Sequence, residues 1–205
     1  MAPARGVDNG RVTPPRAVCI AVLCALCLCA AAPLSPAAAS GPRAFLAGCP
    51  GASLRPSAGN VGAVRAAVLC LVNRERAGHG ERPLIEDAQL TASAQAHTNS
   101  MASRDYFEHV GPQGETPIMR MRATGYISSS RVGYEVGENI GWGTLWEGSP
   151  QAIVAAWMGS PQHRANILDA RFHDTGVGVS AHPPSRLAHN QPGGIYTQDF
   201  GAVIG

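Results

Sequence analysis

The sequence predicts an α+β domain, because helical patterns come first and strand patterns cluster late. Apolar residues recur at helical spacing through residues 61–78, and a second helical pattern starts at Asp87. Strand-like segments occupy residues 134–142, 175–181 and 194–204. This order favours a small, mainly antiparallel sheet with helices packed on its faces.

Each helix is predicted from a start signal. Asn60 is a candidate N-cap for the first helix, Gly78 ends that helix, and Asp87 begins the second. Three shorter helices are expected where a hydroxyl residue precedes a proline, since proline suits the first helical position. These pairs are Thr116-Pro117, Ser149-Pro150 and Ser160-Pro161.

The strands are bounded by turn-forming residues. Residues 175–181 alternate between small residues and valine, which is typical of a strand. Residues 182–193 are polar and contain prolines, so they predict a hairpin loop before the last strand.

The N-terminus predicts a secretory signal peptide at residues 1–39. Arginines precede an uncharged apolar run at residues 17–32, and Ala37-Ala38-Ala39 offers a cleavage site. The run is shorter than the ~20 residues of a spanning helix, which leaves an uncleaved anchor as the alternative. We expect a protein that is secreted or held in the cell envelope, with a Pro/Gly/Ser-rich arm at residues 40–59 and one folded domain at residues 60–205.

The charge of the mature chain argues against polyanionic partners. Cleavage after residue 39 removes three arginines and one aspartate from 16 basic and 14 acidic side chains, which leaves the charges balanced. No basic cluster remains to follow a phosphate backbone, so a nucleic acid is not an expected partner. No stable membrane span is expected after signal cleavage either.

The cysteines predict one disulfide. Four of the six lie within the signal segment, which leaves Cys49 and Cys70. An even pair in an exported chain is typical of a disulfide, and the absence of a CxxC pattern disfavours a metal site here.

The segment VGENIGWG, residues 136–143, places a single carboxylate among small and apolar residues. A buried, unpaired charge is costly, so Glu138 requires partners from elsewhere in the chain. Three of the seven histidines are candidates because they lie in or beside turn regions or within the second helix: His97, His109 and His163.

Several chemistries fit imidazoles beside a carboxylate. They could hold a divalent metal, form a proton-transfer pair or make a buried hydrogen-bond network. No HExxH pattern is present. Ser160 precedes a proline as a helix cap does, and without a GxSxG elbow it is not expected to act as a nucleophile.

Six blocks of the sequence together resemble the CAP superfamily of cysteine-rich secretory, antigen 5 and pathogenesis-related proteins, and its bacterial secreted SCP-like branch in particular. They span roughly residues 64–200 in the order typical of that superfamily. The blocks are LVNRERAGHGERPL, AQAHTNSMASRDYFEHVGPQGETP, VGENIGWG, AWMGSPQHRANIL, TGVGV and YTQDFG.

The resemblance implies an α-β-α sandwich with a cleft that, in many members, holds two histidines and two acids able to bind a divalent metal such as zinc. By motif, His109 and Glu138 correspond to the first histidine and the first acid. Ser160 and Ile195 stand where the second acid and second histidine are expected, so the tetrad is incomplete. His163 is typical of the bacterial branch and is expected to reach the same cleft.

The predicted function is an exported protein whose cleft binds a small ligand, a lipid or a peptide. A metal-assisted hydrolase or peptidase using His109, Glu138 and His163 is the alternative, and a purely structural or adhesive role is a third. The residues expected to support the cleft are Asn139, Ser160, Arg164, Asn166, Tyr196 and Gln198.

Overall fold

A computed structural model describes residues 48–204. It confirms the α+β class and the sandwich of helices on both faces of a small sheet. The helices are α1 (Val61–Gly78), α2 (Ala88–Arg104), α3 (Pro117–Ala123), α4 (Pro150–Gly159), α5 (Pro161–Ile167) and α6 (Ser185–Ala188); the strands are β1 (Ile85–Glu86), β2 (Gly133–Thr144), β3 (Asp174–Ser180) and β4 (Gly193–Ile204). The predicted signal peptide lies outside the described residues.

The four strands form one sheet in the order β1-β3-β4-β2. β2 and β3 each pair antiparallel with β4, and only the two-residue β1 runs parallel to its neighbour. The sequence patterns did not indicate β1, and the predicted loop at residues 182–193 contains the single turn of α6. Both additions are too short to produce a periodic signal.

Alternating residues of β3 explain how α2 packs so closely on the sheet. A Cβ atom at Gly176 would collide with the backbone at Leu90 and Thr91, and one at Gly178 would collide with the carbonyl of Ala94. The glycines therefore let the α2 backbone rest directly on β3. This is the face on which the side chains of β2 and β4 form the candidate site.

The opposite face of the sheet carries the main apolar core. The valines of β3 point to this side and pack with apolar residues of α1, α4, α5 and β4. Buried members of this cluster include Val64, Val68, Trp157, Ile167, Val177, Val179 and Phe200. Their burial at a few per cent exposure or less accounts for much of the hydrophobic stabilisation of the domain.

β2 is an edge strand, and helices α4 and α5 cover part of its open side. The indole Nε1 of Trp157 donates to the carbonyl of Ile140 (2.9 Å), and Asn166 Nδ2 donates to the carbonyl of Glu138 (3.2 Å). These bonds satisfy two backbone acceptors that no neighbouring strand pairs.

The N-terminal segment is tied to the domain. The predicted disulfide between Cys49 and Cys70 is confirmed, with an S–S distance of 2.03 Å. Asn60 stands at the N-cap position of α1, but its side chain makes no capping bond. Instead it accepts from Ser57 N (2.7 Å) and donates to Arg55 O (2.9 Å), so it stabilises the preceding turn.

Within residues 48–204, no helix is long and apolar enough to cross a membrane.

Candidate functional site

The centre of the candidate site is the carboxylate of Glu138 on β2, whose side chain is only 2% exposed. His109 Nδ1, from the loop after α2, lies 2.7 Å from Glu138 Oε1. Arg120, from α3, donates from its guanidinium to Glu138 Oε2 at 2.6 Å. The structure thus provides the partners that a buried acid requires.

Arg120 fastens three segments together. Besides Glu138, it donates to the carbonyls of Glu115 (2.6 Å) and His109 (3.0 Å). Its side chain is 9% exposed, so its ion pair with Glu138 is nearly dry. The loop that carries His109 is therefore held in place by the residue that also neutralises Glu138.

A second acid, Asp199, lies directly opposite Glu138 on β4. It is fully buried, beside Glu138 and Ser93, but among the described residues neither carboxyl oxygen has a contact that meets hydrogen-bond geometry. Burial, followed by the negative charge of Glu138, raises the pKa of the Asp199 carboxyl well above its usual range. The protonated form of Asp199 is thus favoured.

His97 lies beneath the site on α2 and is buried. Its Nε2 donates to the carbonyl of Glu108 (3.0 Å), which holds the loop leading to His109. Burial lowers the pKa of His97, with Glu138 opposing the shift. His97 is therefore a neutral donor that supports the site from within the fold.

His163 approaches from α5, on the far side of β2, and is half-buried. Burial and then the charge of His109 lower the pKa of His163. No hydrogen bond joins the His163 ring to Glu138 within residues 48–204. The structure therefore brings His109 and Glu138 into contact and leaves His163 at the margin.

Two asparagines connect β2 to α5 behind the site. Asn139 Nδ2 donates to the carbonyl of His163 (3.1 Å), and Asn166 Nδ2 reaches Asn139 Oδ1 (2.9 Å). Both side chains thus pin the strand to the short helix.

The other predicted supporting residues lie further from Glu138. Ser160 begins α5 without a side-chain capping bond, and Arg164 is exposed and contacts His79 (3.1 Å). The Tyr196 hydroxyl donates to the carbonyl of Gly148 (2.6 Å), and Gln198 donates to Thr175 Oγ1 (3.1 Å). The contacts of Tyr196 and Gln198 stabilise the sheet and its connections, and they reach no open surface.

The donor set does not fit a divalent metal. The Arg120 guanidinium is hydrogen-bonded to Glu138 Oε2, and His109 Nδ1 is hydrogen-bonded to Glu138 Oε1. Both carboxylate oxygens that could bind a metal ion are therefore already engaged. Within the described part of the chain, no three His, Cys, Asp or Glu side chains are grouped so that they could hold a metal ion. The positive charge next to Glu138 is supplied by the protein itself.

The arrangement orients His109 as an acid–base or hydrogen-bonding group. With Nδ1 donating to Glu138, the neutral ring presents a lone pair on Nε2, to which no described residue hydrogen-bonds. The side chain is 49% exposed, so a ligand can reach it. Such a ring accepts a hydrogen bond from a hydroxyl or N–H group and becomes a donor once protonated.

Sequence reasoning missed Arg120 and Asp199. Arg120 lies in PIMRMRA, where an arginine is indistinguishable from a solvated one. Asp199 could have been found, because it is a lone acid in the apolar strand GGIYTQDFGAVI and so raises the same question as Glu138.

Known proteins show the family of this chain. The sequence model of the cysteine-rich secretory protein (CAP) family matches residues 69–200. The uncharacterized protein YkwD of Bacillus subtilis is 34% identical over 142 residues, which is 69% of this chain and 48% of YkwD. The chain thus spans about half the length of this curated relative.

Two solved structures are similar. An extracellular SCP-domain protein from Bacillus anthracis is 27% identical and matches 69% of this chain and 40% of its own, with a TM-score of 0.51. An outer surface protein from Borrelia burgdorferi is 17% identical, with 65% and 88% covered and a TM-score of 0.52; it supports the fold alone. With the family model matched over most of the domain, this chain belongs to the cysteine-rich secretory protein (CAP) family.

Proposed function

We propose that this protein is an exported CAP domain that binds a small ligand through His109. The observation that carries the proposal is the half-exposed His109 ring held at 2.7 Å from the buried Glu138. A side chain fixed by a buried acid and still open to solvent has lost its rotamer freedom before a ligand arrives, which favours binding.

Export is supported by the signal pattern at residues 1–39 and by the similarity to the SCP-domain protein from Bacillus anthracis, which is described as extracellular. The signal segment, the arm at residues 40–59 and the domain at residues 60–205 remain a proposal for the organisation of the chain. The Cys49–Cys70 disulfide suits an oxidising compartment.

Ligand binding is favoured over the alternative of a metal-assisted hydrolase. Both oxygens of Glu138 are already engaged by Arg120 and His109, and His163 does not complete a ligand set with them. The lone pair on His109 Nε2 fits a ligand that carries a hydroxyl or an N–H group, such as a sterol or a short peptide, whereas the protonated ring donates to a carboxylate such as that of a fatty acid.

A binding screen tests this proposal. Cholesterol, palmitic acid and trialanine are titrated against the mature protein by calorimetry, with His109→Ala as the site variant and exposed Met119→Ala as the matched control. We expect at least one probe to bind with a Kd that is at least about tenfold weaker for His109→Ala, the size of one lost hydrogen bond to an imidazole. Equal binding by the site variant and the wild type would contradict the proposal.

A further inference from the structure

The turn between β2 and α4, residues Leu145–Gly148, exposes large apolar side chains. Trp146 is 65% exposed and Leu145 46% exposed. Leu145 also has a φ of 50°, in the left-handed region that branched and bulky residues avoid. A strained backbone at Leu145 next to the exposed indole of Trp146 motivates the hypothesis that this turn is a contact surface.

The backbone of this turn is firmly held. Leu145 N donates to Pro192 O (2.7 Å), and Ser149 N donates to Trp146 O (2.9 Å). The buried Tyr196 hydroxyl donates to Gly148 O. A Cβ atom at Gly143 would collide with the carbonyl of Glu147, so these backbones pack without room for a side chain. The backbone that carries the indole is therefore held in place, so the binding of a ligand does not have to order that backbone.

A groove of about 560 Å³ opens beside Trp146. Trp142 of β2 also lines the groove. Ala152 and Ala156 of α4 line it as well, and their small side chains leave the groove open. Glu147 and Gln151 add polar groups to the lining. This volume lies within the roughly 300–1,000 Å³ typical of small-molecule sites.

The lining matches an uncharged glycan. A pyranose ring has an apolar C–H face, which stacks on an indole, and an edge of hydroxyls, which bond to carboxylate and amide groups. Among the described residues that line the groove, Glu147 is the only charged one, so an anionic lipid or a phosphate meets repulsion there. The charge of the groove thus complements hydroxyl donors rather than acids.

We propose that the groove formed by Trp142, Trp146 and α4 binds a neutral glycan chain. Trp146 stacks on a sugar ring, while Glu147 and Gln151 hydrogen-bond to its hydroxyls. This site is separate from His109, and the proposal does not depend on ligand binding at the cleft.

The proposal is tested by titrating the mature protein with tetra-N-acetylchitotetraose or cellotetraose, with binding monitored by tryptophan fluorescence and calorimetry. We expect one of these probes to bind, with a Kd weakened at least tenfold in Trp146→Ala and several-fold in Gln151→Ala. Leu187→Ala, which alters an exposed leucine elsewhere, is the matched control and is expected to bind as the wild type does. A thermal melt of each variant verifies that the exposed substitutions leave the fold intact.

Four outcomes would overturn the glycan site. The first is no binding of either tetrasaccharide, and the second is undiminished binding by Trp146→Ala. The third is co-sedimentation of the wild type with phosphatidylcholine vesicles that Trp146→Ala abolishes while neither sugar binds, which would make the turn a membrane contact. Loss of sugar binding in His109→Ala but not in Trp146→Ala would place the sugar in the cleft and equally reject this groove.

Discussion

The two faces of the sheet are built from different chemistry. The face against α1 and α4 is filled by valines, Trp157 and other apolar side chains. The face against α2 and α3 buries Glu138, Asp199, His97 and most of Arg120 within the same domain. Apolar packing stabilises a fold without further conditions, whereas buried ionisable groups stabilise it only while every partner is present. The face against α2 and α3, called the polar face below, is thus the part of the domain whose stability depends on contacts among buried ionisable groups.

Removal of the Arg120 guanidinium from the polar face is expected to cause the largest loss of stability. Arg120→Met leaves Glu138 buried without its cation and frees the His109 loop, at a cost of about 3–5 kcal/mol in the free energy of unfolding. Urea denaturation measures the loss. Arg122→Met on the same helix is the control, because Arg122 only stacks over Tyr134 (5.7 Å). Equal losses in the two variants would show that the buried pair has no special role.

Adding a side chain at Gly176, where the α2 backbone rests on β3, is expected to cause the second-largest loss of stability. Gly176→Ala drives a methyl group into the α2 backbone and costs about 1–3 kcal/mol as an overpacked site. Gly159→Ala, at the end of α4, meets open space and should be neutral or slightly stabilising. Thermal melts compare the two. A tolerated Gly176→Ala would mean that α2 can shift away from the polar face.

The pH dependence of stability sharpens the comparison further. The pKa of Asp199 is raised by burial, so the folded protein keeps a proton that the unfolded chain releases. This contribution to stability is complete below the ordinary carboxyl pKa and is lost as pH rises towards the raised folded value. Asp199→Asn stays uncharged and should flatten the profile. Urea unfolding from about pH 4 to about pH 8 measures both slopes; parallel slopes would show that Asp199 is ionised in the fold.

His109 is expected to matter least for stability. Its side chain is half-exposed, so we expect water to take the place of the imidazole beside Glu138 in His109→Ala, and the free energy of unfolding should fall by less than about 1 kcal/mol. Denaturant unfolding at neutral pH checks this value. A loss as large as that of Arg120→Met would indicate that the imidazole is a structural part of the polar face.

The sequence predicted the apolar half of this comparison better than the polar half. Proline at the first helical position located the starts of α4 and α5, and the alternation of small residues and valine located β3. Local patterns carry that information because helices and strands have fixed periods. The contact between His109 and Glu138 followed from the family resemblance, since the two residues are 29 positions apart.

The remaining site residues depend on tertiary contacts. Arg120 and Glu138 lie in separate elements, and only the packing of α3 against β2 shows that the arginine is buried. Asp199 faces Glu138 because of the register between β2 and β4, which no local pattern specifies. The sequence did not predict β1 for the same reason, because its two residues form a strand only through their pairing with β3.

The side chains that cap the outer carbonyls of β2 have a consequence for how molecules of this protein meet each other. An open strand of twelve residues is a template for aggregation, because an extended segment of another chain can add to it. Trp157 and Asn166 take up the acceptors at Ile140 and Glu138 that such an addition would need. These two contacts therefore hinder the addition of a further strand to the edge that carries the buried acid.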